Sequence, residues 1–264
     1  MGNSKTLITG YSGLLGGLIA NRLSANGHTL VLPCRYKETF EPIHSVINFD
    51  LNTDPLESIL DGVETIVHCA GMNARSSELN PDDAFEFNCN LTSKLARIGA
   101  RLNVKHFIYL STVHVYSKNP EGNLDESSIC QNVHPYPASK RSAEVSLTKI
   151  ANQSKMKTSI LRLSNVIATP IYKEVDCWNL IANDLCRKVI SSGTMCINSP
   201  SNYKRDFIPS DILLDALETL IERSDDFNGP NIYNISSGST ITLASLANKI
   251  RKVYHSVYGK LAKI

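Results

Sequence analysis

Tyr136 and Lys140 are the residues of this 264-residue chain whose types and spacing best suit chemistry. They stand four positions apart at the start of a stretch that reads as a helix to about Asn152, so they share one face, a turn apart. A phenol ordinarily loses its proton near pH ~10, and a neighbouring ammonium that stabilises phenolate lets it exchange protons closer to neutrality. Thr112, at the carboxyl end of the apolar run Phe107-Ile108-Tyr109-Leu110, brings a hydroxyl that can hold a substrate oxygen beside the phenol. Together they form a proton-transfer centre of the kind that hydride transfer at an alcohol or ketone carbon requires. An isolated Tyr-x-x-x-Lys is as readily an exposed helix pair. Here it follows a glycine turn, the strand end at Asp50 and the strand end at Ser111-Thr112, in that order.

The glycine turn is the first of the elements that must position this centre. Thr9 to Gly17 reads Thr-Gly-Tyr-Ser-Gly-Leu-Leu-Gly-Gly, directly after the apolar run Thr6-Leu7-Ile8 and before the periodic residues Leu14, Leu15, Leu18, Ile19 and Leu23. Such a strand-turn-helix unit presents unpaired N–H groups and a positive dipole end to a pyrophosphate. Gly10 suits the tight turn, Gly13 lets backbone approach a ligand, and Gly16 lets helix pack on strand; Ser12, Leu14 and Leu15 complete the candidate cofactor contacts. Further buried strands are expected at 29–32, 45–49, 65–68, 107–110, 158–163 and 231–235. Helices are expected at 56–60, 82–102, 137–152, 178–190, 210–222 and 243–257, with a short strand at 194–197. Strands alternating with helices predict a doubly wound α/β fold on a parallel sheet, whose ligands lie beyond the strands' carboxyl ends. Gly10, Asp50, Cys69 and Thr112 should therefore share one rim. The loop from Ser117 to His134 is long enough to be functional.

Composition narrows the class. Hydrophobic content of 42% and charged content of 20% describe an ordinary globular protein, and a net charge of +2 without a basic stripe excludes nucleic acid or a membrane surface as the main partner. No apolar stretch is long enough to span a bilayer and no signal peptide is evident, which predicts a cytoplasmic protein. Seven cysteines without a Cys-x-x-Cys pair read as reduced thiols rather than disulfides or a metal site. Met1 to Thr6 formally matches an N-myristoylation signal, but Thr6 already begins the first strand.

These segments jointly resemble the extended short-chain dehydrogenase/reductases, in the NAD-dependent epimerase/dehydratase branch. Thr9-Gly10-x-x-Gly13-x-x-Gly16 looks like the family's nucleotide turn and Asp50-Leu51 like its adenine-contacting pair. His68-Cys69-Ala70-Gly71 resembles its strand-four motif and Asn88-Cys89-Asn90-Leu91-Thr92 its helix asparagine segment. Leu110 to Tyr116 resembles the strand of the catalytic Ser/Thr, and Tyr136-Pro137-Ala138-Ser139-Lys140 the Tyr-x-x-x-Lys segment. The resemblance implies a Rossmann domain over 1–168, with 205–235 returning to it. It also implies a small substrate lobe from 169–204 and 236–264, truncated relative to the family. It further implies catalytic Thr112, Tyr136 and Lys140, cofactor contacts at Cys69, Ala70, Gly71 and Asn88, and diphosphate contacts at Asn165 and Arg205 of a nucleotide sugar. A homodimer paired through the long helices near Asp82 and Pro137 is implied as well.

Departures from that pattern narrow the chemistry. Dehydratase members carry Thr-Asp-Glu where this chain has Thr112-Val113-His114, so dehydration is set aside, and His114 becomes a substrate contact and a candidate acid or base. Pro33-Cys34-Arg35 stands where NAD enzymes place an acidic residue, so Arg35 is expected to favour NADP over NAD. The expected activity is an NAD(P)-dependent 4-epimerase or keto-sugar reductase. The alternative is a non-catalytic NAD(P)-binding sensor or scaffold.

Overall fold

The structure, a computed structural model, describes residues 5–35, 43–118 and 122–264. Residues 1–4 of the myristoylation signal at 1–6, and part of the 117–134 loop, lie outside them. The chain opens with β1 (Lys5–Thr9), α1 (Leu14–Ala25) and β2 (Thr29–Val31). Next come β3 (Pro33–Cys34), β4 (Ile47–Asn48), α2 (Leu56–Ile59) and β5 (Val63–His68). After α3 (Ala74–Leu79), α4 (Pro81–Phe85) and α5 (Thr92–Arg101), β6 (His106–Thr112), α6 (Pro135–Asn152) and β7 (Lys157–Leu163) complete the first half of the fold.

From there β8 (Asn165–Ile167), α7 (Ile181–Ser192) and β9 (Lys204–Pro209) lead to α8 (Ser210–Glu222), β10 (Pro230–Ile235), β11 (Thr240–Thr242) and α9 (Leu243–Tyr258). The main sheet has six strands in the order β10-β7-β6-β5-β1-β2, every adjacent pair parallel. This is the doubly wound, Rossmann-like α/β fold expected. Its strands are apolar on both faces, as burial between two helical layers demands. Leu7, Ile66, Phe107 and Tyr109 meet α2, α5 and α6 on one side. Ile8, Val67, Ile108 and Leu110 meet α1 and α8 on the other.

Two expectations need correction, and a third gains a detail. The strand expected at 45–49 contracts to Ile47–Asn48 and pairs with Pro33–Cys34 in a separate two-stranded piece; Pro33 cannot donate to a neighbour, which breaks the run that β2 began. The helix expected at 82–102 is present without a break over 81–101, and within it residues Glu86–Leu91 form a π-helical turn between α4 and α5. No strand forms at 194–197, where Thr194 makes only an isolated bridge to Lys263.

A small three-stranded sheet, in the order β11-β9-β8, stands beside the main one. With α7 and α9 it encloses its own core of Leu185, Val189, Met195 and Leu246. Asn165 and Arg205 therefore stand on strands of the small sheet, although the sequence reading ranged both with the main unit. Asp206 joins the two sheets: its carboxylate accepts from Ser164 Oγ (2.6 Å) and from Ser237 N and Oγ.

Two buried histidines are expected to make the fold acid-labile. His68 is enclosed between Thr9 Oγ1 (2.7 Å) and Thr92 Oγ1 (2.8 Å) and is pushed down to about 3 by burial, with Lys140 adding to the effect. His106, at 2.9 Å from Ser159 Oγ, is pushed down to about 4 by burial and then by Lys157. Both stay neutral in the fold, while the unfolded chain protonates histidine near pH ~6.5. Stability is thus complete above that pH and falls as the pH drops through the window toward 4 and then 3, by on the order of 1.4 kcal/mol per pH unit for each histidine. A urea midpoint clearly lower at pH 5 than at pH 7.5 is the expected result; equal midpoints would contradict it.

Candidate active site

The carboxyl ends of β1, β5, β6 and β7 open onto a cleft of about 440 Å³. Leu14, Leu15, Cys69, Gly71, Thr112, His114, Tyr136, Lys140, Asn165 and Arg205, all singled out from sequence, line it. Helix starts, loops and strand ends bring them together from positions between Leu14 and Arg205. No Asp or Glu is among the described lining residues, whereas Lys140, Arg75 and Arg205 supply positive charge. The cleft is electrostatically suited to an anionic ligand.

The turn at Gly10 is built for close backbone approach. Gly10 has φ +72°, and a Cβ there would stand 2.8 Å from Ala70 N; a Cβ at Gly16 would stand 2.1 Å from Gly10 O. Helix α1 begins at Gly13 with no side-chain cap, and its first residues Leu14 and Leu15 reach the cleft. An uncapped helix start above a glycine cradle fits the pyrophosphate of a dinucleotide. Thr9 Oγ1 fastens the turn to the end of β5 by accepting from Cys69 N and Ala70 N, both at 3.2 Å. Ser12 is exposed on the turn. Asp50 and Leu51 lie away from the cleft; Asp50 Oδ1 accepts from Asn52 N (2.9 Å), and Leu51 is buried. Arg35 is exposed, immediately after β3.

Helix α6 starts one residue before Tyr136, with Pro135 at its first turn and His134 Nδ1 accepting from Tyr136 N (3.3 Å). Tyr136 is half-buried and Lys140 buried. Lys140 Nζ donates to Leu110 O (3.2 Å) and lies 4.9 Å over the Tyr109 ring. Burial pushes Lys140 down to about 8, against the pull of Cys69 and Glu144. Burial also pushes Tyr136 up to about 12. In the chain by itself desolvation thus outweighs the phenolate stabilisation that the Tyr-Lys spacing suggests, and the phenol is held protonated as a proton donor. Thr112 Oγ1 accepts from His114 N (3.2 Å), which leaves its hydrogen to donate. His114 is pushed down by burial, then by Arg205 and His134, and so is neutral near pH 7. Asn165 Nδ2 donates to Asp206 O (2.8 Å), which pins β8 to β9.

Asn88 stands within the π-helical turn and is fully buried. Its Oδ1 accepts from Met72 N (2.7 Å) and its Nδ2 donates to Ser139 Oγ (3.0 Å). It braces the β5 loop against the Tyr136 helix from behind, the kind of site where π-turns recur. Sequence reasoning gave no role to Ser139, Arg75, Glu144 or Arg162. The last had a legible signal, a lone charge in the apolar run Ile160-Leu161-Arg162-Leu163.

Comparison with known proteins decides the family. Residues 6–236 match the family model of the NAD dependent epimerase/dehydratase family. The chain belongs to that family. A human dTDP-D-glucose 4,6-dehydratase is 29% identical over 174 residues, covering 63% of this chain and 46% of that protein. The chain spans about half the length of the curated relatives it matches. Among solved structures, a UDP-N-acetylglucosamine 4-epimerase from Methanobrevibacter ruminantium M1, in complex with UDP-N-acetylmuramic acid, superposes with a TM-score of 0.86 at 22% identity, covering 100% of this chain and 85% of that one. A UDP-glucuronic acid 4-epimerase from Bacillus cereus, in complex with UDP-glucuronic acid and NAD, gives 0.83 at 19% identity, covering 98% of this chain and 84% of that one. At these identities the likeness concerns the fold. Among the described residues no helix is long and apolar enough to cross a membrane, and no group of three or more His, Cys, Asp or Glu could hold a metal ion.

Proposed function

We propose that this family member catalyses oxidoreduction at a carbinol or keto carbon of a nucleotide-linked sugar, as a 4-epimerase or a keto-sugar reductase. The observation that carries this reading is the convergence of Thr112, Tyr136 and Lys140 on one carboxylate-free cleft with Leu14 and Leu15, the first residues of α1 after the glycine turn. When bound, a nicotinamide dinucleotide supplies the acceptor and donor of hydride. Gly10, Ser12, Gly13, Leu14 and Leu15 would hold its pyrophosphate, Asp50 and Leu51 its adenine end, and Cys69, Ala70, Gly71 and Lys140 its nicotinamide end. Thr112 donates a hydrogen bond to the substrate oxygen. Tyr136 gives a proton to that oxygen when a ketone is reduced and takes it back when the alcohol is oxidised. Lys140 holds positive charge beneath the phenol. Arg205 and Asn165 receive the diphosphate, with Arg75 adding charge to the same cleft. Dehydration has no support in Val113 and His114, the latter a neutral imidazole.

Incubation with a panel of nucleotide-linked hexoses and their 4-keto forms, in the presence of NAD, NADP or their reduced forms, tests this reading. Sugar interconversion without net cofactor change marks an epimerase, and consumption of reduced cofactor a reductase. Tight dinucleotide binding with no sugar turned over would leave a non-catalytic sensor or scaffold.

Arg35, exposed directly after β3, supports NADP as the preferred dinucleotide. NADP is expected to bind more tightly than NAD, and Arg35→Ala to remove about tenfold or more of that difference, as a lost phosphate contact does. Tighter NAD binding that ignores the substitution would end the idea. Leu79, Phe85 and Val145 are exposed on α3, α4 and α6, which supports a homodimer through those helices. Light scattering should give a dimer mass for the wild type and a monomer mass for Phe85→Lys; a dimer unaffected by that change would place the contact elsewhere.

A further inference from the structure

Tyr136, Lys140 and Glu144 follow one another at intervals of four along one face of α6, and the third has no part in the proton transfer just described. Glu144 is completely buried. Its Oε1 accepts from Ser111 Oγ (2.5 Å) on β6 and Arg162 Nε (3.1 Å) on β7. Its Oε2 accepts from Arg162 Nη2 (2.7 Å) and Arg141 Nη1 (2.8 Å). One turn earlier, Lys140 takes Leu110 O. Two successive residues of β6, Leu110 and Ser111, are thus gripped from the same helix face, and the next residue is Thr112. Arg162 carries the hold outward: its Nη1 donates to Tyr116 Oη (2.9 Å) and to Glu126 O (3.3 Å), and Tyr116 Oη donates to Asn234 Oδ1 (2.7 Å). The loop that delivers Tyr136 is moored to the same carboxylate.

We propose that Glu144 is a positioning residue for Lys140 and Thr112, its buried carboxylate fixing α6 against β6 and β7 at the spacing that proton transfer needs. The inference rests on the oxidoreductase reading. A buried ion pair is a weak source of stability compared with apolar packing of the same volume, so this one serves geometry and charge. The groups facing Lys140 are Cys69 and His68 from β5 and its end, Tyr109 from β6, and Tyr136 and Glu144 on its own helix. Those facing Glu144 are Ser111 and Tyr109 from β6, Arg162 from β7 and Arg141 on α6. Glu144 and Cys69 pull Lys140 upward against burial. Without Glu144, Lys140 loses its proton at a lower pH, and any activity that needs the ammonium fails earlier as pH rises.

The test is the pair of substitutions Glu144→Gln and Arg162→Met made together, so that no cation is left buried alone. Lysine labelled with 13C at Cε reports Lys140 directly by NMR titration. Its midpoint should fall, and kcat should drop by about ten- to a hundredfold with little change in KM. An unmoved Lys140 midpoint with wild-type kcat in a folded variant overturns the proposal. If the double variant does not fold, Ser111→Ala cuts only the tie to β6. It should lower kcat severalfold while leaving the Lys140 midpoint in place, and an unchanged kcat there overturns the tie. Absence of turnover by the wild type would instead sink the oxidoreductase reading, with the Lys140 titration still deciding whether Glu144 acts on it.

Discussion

Tyr136→Phe is expected to lower kcat by about 10²- to 10⁴-fold, the contribution of a positioned general acid or base, while leaving the fold and dinucleotide affinity nearly unchanged. The substitution removes one oxygen. The bonds that place residue 136 are backbone bonds, from its N to His134 Nδ1 and from Ser139 Oγ to its carbonyl, so phenylalanine keeps them. The pH dependence follows from the burial that holds the phenol up to about 12. In the direction where Tyr136 accepts a proton, the rate should rise with pH as phenolate becomes more accessible. It should then level off above pH 8 as Lys140, held down to about 8, loses its charge and offsets the gain in phenolate. This pH dependence should vanish in the phenylalanine variant. Steady-state kinetics across pH, with a thermal melt as control, makes the check. A variant within about twofold of wild type would remove Tyr136 from the chemistry.

The second large effect is structural and concerns two adjacent glycines of one helix. Gly16→Ala would set a Cβ 2.1 Å from Gly10 O and 2.6 Å from Gly10 C. Both are backbone atoms of the turn, so the turn itself must shift. Overpacking of this sort costs about 1–3 kcal/mol or more, and the shift moves the cradle that would hold a pyrophosphate. A loss of several degrees in Tm and at least about a tenfold rise in dinucleotide Kd are expected, the latter equal to ~1.4 kcal/mol. Gly17→Ala behaves differently. Its Cβ would lie 3.3 Å from Tyr11 O and 3.5 Å from the Tyr172 ring, a tight but adjustable fit. Alanine's helix propensity offsets part of that strain by up to about 1 kcal/mol. Calorimetry and dinucleotide titration of the two variants side by side decide the matter. Gly17→Ala proving the worse, or Gly16→Ala matching wild type, would refute this account of the turn.

Much of the candidate site was proposed from residues legible before any coordinates. Gly10 to Gly16, Thr112, Tyr136 and Lys140 announce themselves because each motif is local, a strand end followed by a turn or a helical interval of four. Cys69 and Gly71 likewise follow an apolar strand and reach the cleft as expected. What was not legible depends on distant partners. Asn88 reads as one residue of a long helix, and only its bonds to Met72 and Ser139, 16 and 51 positions away, explain why the helix widens there. Asn165 and Arg205 stand on strands of three and six residues, and the shorter has too few positions to show a period.

The sequence by itself determined the alternation of strands and helices, the glycine turn and the Tyr-Lys pair, because side-chain periodicity and backbone permissiveness are properties of neighbouring residues. Tertiary structure decided that Glu144 and Arg162 meet in the core, that β8 and β9 leave the main sheet for the small one, and that burial keeps the Tyr136 phenol protonated. Those outcomes are set by desolvation and by pairing between groups up to tens of residues apart, terms that do not exist until the chain has closed around them.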